Sequence, residues 1–241
     1  MIPSNPRRTW LFLGASLFLF FVPDLLVPQS WQQNPLYPLL TACYLGGLVI
    51  LGFACGPAIC RAMVVRELDA GPWRSAVDQA LATLPTQHRP MPRVVLAEHA
   101  VAFVLTAGLL PGRCQVFVSS ALVGRLSQAG LRFLLARAYA HASLRQRMAA
   151  SLPVLCLTVL VPDTPEGFLA WLTLGGFLLI WLLLHWYFEL DADRQAARLV
   201  GMGASPGLFE VLAATASPLG RLSLSPPLSW RMRAIGKSMS K

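Results

Sequence analysis

Hydrophobic and polar positions alternate between two regimes along this chain. Four stretches are apolar without helical patterning: Trp10 to Val27, interrupted by Pro23 and Asp24; Tyr37 to Ile59, with no charge; Ala149 to Val161; and Phe168 to Phe188. Spanning a bilayer core takes roughly 20 helical residues. The second and fourth stretches meet that length, the first does so marginally, and the third needs the preceding helix to extend it. Between the second and third the pattern becomes periodic. Apolar residues from Arg61 to Leu84, with Val64, Leu68, Trp73, Val77, Ala80 and Leu84, recur at spacings near three and four, which predicts one amphipathic helix ended by Pro85 to Pro90. Arg93 to Ala97, Val101 to Thr106 and Gln115 to Ser119 predict strands, with a turn at Gly108 to Gly112. Ser120 is placed to cap a short helix Ala121 to Leu126, and another helix begins near Gln128. The sum is an α+β membrane protein: about four transmembrane helices around a helix and small-sheet module. Its units are 1–60, a two-span anchor; 61–147, the module; 148–188, a transmembrane hairpin; and 189–241, a helix and C-terminal tail.

Composition agrees. Of 241 residues, 55% are hydrophobic and 13% charged, and the mean hydropathy is +0.56; soluble domains carry nearer a quarter charged residues. The first stretch lacks a small-residue cleavage site and reads as a retained signal anchor. Basic residues orient the spans. Arg7 and Arg8 precede the first, the loop Gln29 to Leu36 is uncharged, and 61–147 holds eleven arginines against four acids. The hairpin Asp163 to Gly167 is acidic, and the tail from Arg194 carries five arginines and two lysines. This places both termini and the 61–147 region in the cytoplasm. The net charge of +9 then reflects topology and attraction to anionic lipid. The dispersed arginines, with no recognition module, argue against nucleic acid. Cys43, Cys55, Cys60, Cys114 and Cys156 form no CxxC and are expected to be buried as small hydrophobes.

The chemistry concentrates at two places. A zincin helix needs two His at i and i+4, so that both imidazoles share a face, with a Glu after the first to activate metal-bound water. Ala136-Arg137-Ala138-Tyr139-Ala140-His141 has this frame with two positions replaced. Glu189 and Asp193, one turn apart, form an ExxxD pair. Together with Val101-Ala102-Phe103 before Gly108, the Val116 to Leu122 strand-to-helix turn, and Pro226-Pro227 before Arg231-Met232-Arg233-Ala234-Ile235, these resemble the HtpX-like and CAAX-prenyl-protease-like membrane zinc metallopeptidases over residues 60 to 236.

The resemblance implies a cytosolic zincin-like module and puts Arg137 at a metal ligand and Ala138 at the general base, leaving His141 and Glu189 as remnant ligands. Arginine has no lone pair to offer and its charge repels Zn²⁺; alanine accepts no proton. No catalytic residue and no cofactor are therefore expected. Arg137 is placed to pair with Glu189 or Asp193 in the metal's stead. The chain then reads as a catalytically inactive homologue, an accessory subunit or binding adaptor in a membrane complex, whose partner strand would add at the edge Val101, Ala102, Phe103, Val104. Two alternatives stand beside it. One is an active metalloendopeptidase with zinc on a rearranged set of His141, His185 and Glu189; the other is a membrane-surface module binding anionic lipid. The layout and the arginine bias point to a bacterial inner membrane.

Overall fold

The computed structural model describes residues 6–64, 66–85, 92–109, 112–143, 168–201, 203, 207–211 and 225–239. The third apolar stretch, the 163–167 hairpin, His88 and Cys156 lie outside them. The chain opens with helices α1 (Pro6–Leu26) and α2 (Gln29–Gln32), then the long α3 (Tyr37–Met63). Helices α1 and α3 run antiparallel: Tyr44 Oη donates to the Leu19 carbonyl at 2.8 Å, and the Arg8 guanidinium to the Ala62 carbonyl at 2.7 Å. Arg8 and the end of α3 therefore share one end of the hairpin. Among the described residues, α3 is the one helix long and apolar enough to cross a membrane; the apolar part of α1, Trp10–Pro23, is shorter.

The single helix expected over Arg61 to Leu84 is divided. Helix α3 ends at Met63, residues 66–68 run extended, and α4 occupies Pro72–Ala82. Gly71 explains the break: its φ of +107° is disfavoured for other residues, and it hands over to Pro72 at the first helical position, where the missing N–H costs nothing. The freed segment lies along the sheet. Leu68 N–H donates to Leu96 O at 2.8 Å and Glu98 N–H to Arg66 O at 2.9 Å.

Strands β1 (Arg93–Ala97), β2 (Val104–Ala107) and β3 (Gln115–Ser119) form one sheet in the order β1-β3-β2. The β1 and β3 pair is parallel, Val95 opposite Phe117, and β2 is antiparallel to β3, Leu105 opposite Phe117. The period-two alternation sorts side chains to two faces. Val94, Leu96, Val116 and Val118 join the main core, while Val95, Ala97 and Phe117 form a smaller cluster with Val64 and Cys60 from the end of α3. At the turn after β2 the α3 backbone comes close. A Cβ on Gly108 (φ +107°) would stand 3.0 Å from Pro57 Cγ and 3.1 Å from the Arg113 carbonyl, so only glycine fits.

Ser119, fully buried, ends β3 and caps α5 (Ser120–Val123) by accepting from Leu122 N–H; the cap is thus Ser119 and not Ser120, and the helix is shorter than Ala121 to Leu126. Ser127 likewise accepts from Gly130 N–H at 3.1 Å and starts α6 (Gln128–His141). Then come α7 (Phe168–Val200) and α8 (Leu228–Met239). The boundary drawn at 188/189 falls inside α7, one unbroken helix of 33 residues. Leu131, Phe133 and Leu134 of α6 pack with Ala196 and Ala197 of α7, Ile235 of α8, and Leu208 and Phe209 of the helical stretch 207–211. Cys114 is buried, but Cys43 and Cys55, both on α3, are exposed, against the expected burial.

Candidate functional site

Helices α6, α7 and α8 converge on a buried cluster of charges. Arg137 projects from α6, which is buried along most of its length because Leu131, Leu134, Leu135 and Ala138 face the core around it. Glu189 and Asp193, one turn apart on α7, share the face turned to α6. Arg231 comes from α8. The Arg137 guanidinium donates through Nη2 to Glu189 Oε2 and through Nε to Asp193 Oδ1 at 2.8 Å. Arg231 grips the same Asp193 with both arms of its fork, Nε to Oδ2 at 2.6 Å and Nη2 to Oδ1 at 2.7 Å, while its guanidinium carbon lies 4.2 Å from the centre of the Phe209 ring. Asp193 is fully buried, and Arg137 and Arg231 nearly so.

Burying one such charge is costly unless it is paired and hydrogen-bonded. Here two guanidinium groups face two carboxylates, so the cluster is balanced. Burial by itself would raise the Glu189 pKa; Arg137 above all, with His141, Arg231 and His185, outweighs it and holds the carboxyl at about 2. Arg137 shows the mirror effect. Burial would lower its pKa, but Glu189 and Asp193 raise it further, so the guanidinium stays charged.

His141, one turn along α6 from Arg137, is held neutral at pH 7. Burial first, then the Arg137 charge, bring its pKa down to about 4 against the opposing pull of Glu189 and Asp193. Its Nε2 stands 3.5 Å from Glu189 Oε1 but outside hydrogen-bonding geometry, and is buried without a hydrogen-bond partner among the described residues. Ala138, also buried, packs into the core. His185 sits a turn before Glu189 but stacks on Trp181, ring centres 6.1 Å apart. Among the described residues no three His, Cys, Asp or Glu side chains converge in a metal-binding arrangement, so the rearranged set His141, His185 and Glu189 is not assembled.

Zinc, which the sequence resemblance implies, does not fit this donor set. One Glu189 oxygen is taken by Arg137, Asp193 is shared by two arginines, and the position of the first histidine is a fixed cation. What the arrangement does chemically is lock three helices together.

Two sequence expectations shift here. Arg231 stands in the sequence only as part of a closing motif, yet it takes the larger share of Asp193; an arginine at the fourth position of an amphipathic terminal helix is the available signal. The edge strand was drawn from Val101, but β2 starts at Val104, so of Val101, Ala102, Phe103 and Val104 only the last lies in it. His99 accounts for the delay: its Nδ1 accepts from Val101 N–H at 3.0 Å and its ring meets Phe103 edge-on, making a turn before the strand. Phe103 still exchanges hydrogen bonds with Ser119, N–H to Oγ at 2.9 Å and O from N–H at 3.1 Å.

The fold defines the class: a helix-rich α+β protein in which a three-stranded sheet and three converging helices adjoin long apolar helices. Among solved structures the chain is similar to the crystal structure of S. mikatae Ste24p, with a TM-score of 0.60 and 14% sequence identity over 94% of this chain and 63% of that one. The chain thus spans somewhat less than two thirds of that protein, and at this identity the likeness is one of fold. No family model and no curated protein matches the sequence.

Proposed function

We propose that this chain is a non-catalytic integral membrane protein built on a zinc-metallopeptidase scaffold, serving as an accessory subunit or binding adaptor in a membrane complex. The observation that carries the proposal is the double engagement of Arg137. The residue that stands where the resemblance expects a metal ligand is bonded to both carboxylates of the ExxxD pair. A guanidinium so held supplies the counter-charge a metal would otherwise give, and Ala138 removes the base. Ste24p, a CAAX prenyl protease, belongs to the kind of enzyme that the sequence motifs resemble, and its fold likeness supports the shared scaffold.

Four spans remain the proposed topology, with the 61–147 module and both termini in the cytoplasm of a bacterial inner membrane. It is supported by the α1 and α3 hairpin, whose Arg8 and Ala62 ends coincide, and by the exposed apolar flank of α7. Binding would use β2, which ends the sheet and so offers its outer backbone groups to an incoming strand.

Restoring the lost positions tests the scaffold. The double substitution Arg137→His with Ala138→Glu, in detergent-purified protein, is expected to bind about one zinc per chain by elemental analysis while remaining monodisperse. A folded double variant without zinc would contradict an inherited metal site.

A further inference from the structure

Beside the balanced cluster lies a second pair of arginines in the opposite situation. Leu190 and Arg194 on α7, and Trp230, Arg233 and Ala234 on α8, line a cavity of about 160 Å³, several times the volume that a water occupies in the liquid. Each set shares one helix face by its spacing. None of these lining residues is acidic. Arg194 and Arg233 make no ion pair or hydrogen bond among the described residues, and Arg233 is exposed. Two guanidinium groups thus border one small cleft whose described lining carries no carboxylate.

Its position along α7 names the counter-ion. The flank of α7 up to Tyr187 is apolar and exposed, with Leu179 at 57%, Ile180 at 59% and Leu183 at 56%. Trp186 then meets Trp230 edge-on, ring centres 5.5 Å apart, and Tyr187 is half exposed. Aromatic residues of this kind sit at the level of lipid headgroups. At 1.5 Å per residue, Arg194 lies roughly 9 Å beyond Phe188; the interfacial layer is about 5–7 Å deep, within reach of a long side chain bent back toward it.

We propose that this cleft binds the phosphate of an anionic phospholipid from the cytoplasmic leaflet, clamped by Arg194 and Arg233 with the glycerol end against Trp230 and Leu190. This rests on the membrane placement given above and adds to it one defined lipid site, where diffuse attraction would use all the surface arginines alike. The bidentate fork of arginine suits phosphate, and the lipid would tie α8 to α7 beside the Asp193 cluster.

The test uses the full chain in detergent, with phosphatidylglycerol and phosphatidylcholine as probes and retention read by native mass spectrometry. Wild-type protein should retain one phosphatidylglycerol in preference to phosphatidylcholine. Arg194→Gln with Arg233→Gln should weaken that retention roughly 30-fold, at about fivefold per arginine. Arg198→Gln, exposed one turn further along α7 and outside the cavity, should leave it unchanged. Equal retention by the double variant, or equal loss in Arg198→Gln, would overturn the site. Displacement of the lipid by millimolar inorganic phosphate would also overturn it, assigning the cleft to a free anion. The membrane placement fails by a different sign: release of the chain from membranes by alkaline carbonate. Neither arginine is paired among the described residues, so the double variant should keep the wild-type circular dichroism spectrum.

Discussion

The two ends of α7 invert the usual order of a protein. Toward its start, large apolar side chains point away from the protein, Leu178, Leu179, Ile180 and Leu183 each at least 44% exposed. Toward its end, Asp193 is fully buried between two arginines while Ala192, Ala196 and Ala197 close around it. In water both ends would be unfavourable, the first by exposing a contiguous apolar surface and the second by burying charge. Placed with one end in lipid and the other in a protein interior that supplies its own counter-charges, each is satisfied. A single helix carries both because small residues let α6 and α8 approach the charged end closely, whereas nothing described packs on the leucine flank.

The largest effect should come from unbalancing the charged end. Asp193→Ala leaves Arg137 and Arg231 facing one another without their shared carboxylate, and should cost about 3–5 kcal/mol, read as a lowered thermal unfolding midpoint in detergent. A midpoint close to wild type would show that the cluster is not holding the helices together. At the other end, Ile180→Lys should disfavour membrane insertion by about 2.5–3.5 kcal/mol while leaving the charged cluster intact. An undiminished inserted fraction would remove the lipid-facing assignment of that flank.

Acidification separates the two ends more gently. His141 is neutral when folded, with a pKa of about 4 against an ordinary 6.5. The unfolded chain therefore binds the extra proton between those values, and stability falls as pH drops from 6.5 toward 4, by no more than about 3 kcal/mol. Glu189, at about 2 against 4.5, adds a second loss as pH falls from 4.5 toward 2, because its ionised form is what the arginines stabilise. His141→Gln should abolish the first phase and spare the second. A flat profile from 6.5 to 4 in the wild-type chain would contradict a buried neutral imidazole.

How much of this was legible in the sequence follows from how local each signal is. β1 and β3 occupy the short apolar runs marked as strands, and α6 begins at the Gln128 expected, because such runs and helix starts depend on near neighbours. The break at Gly71 and Pro72 was also local, but the apolar spacing across it masked it; an extended segment that pairs with β1 also buries Val64 and partly buries Leu68. Parallel pairing of β1 with β3, which leaves β2 at the edge, joins residues some twenty positions apart and has no local mark. The same holds for the site. Arg137 was prominent as a departure from a motif and Glu189 with Asp193 as its intact part, whereas the grip of Arg231 on Asp193 spans 38 residues and became visible only with α8 docked on α7.

The central claim is that a guanidinium stands where a metal would be bound. The most direct test is zinc stoichiometry of the detergent-purified wild-type chain, with Glu189→Ala as control. The account predicts well under one zinc per chain in both. About one zinc per wild-type chain, lost in Glu189→Ala, would contradict it and turn attention to His141, Glu189 and His185 as ligands of a working peptidase.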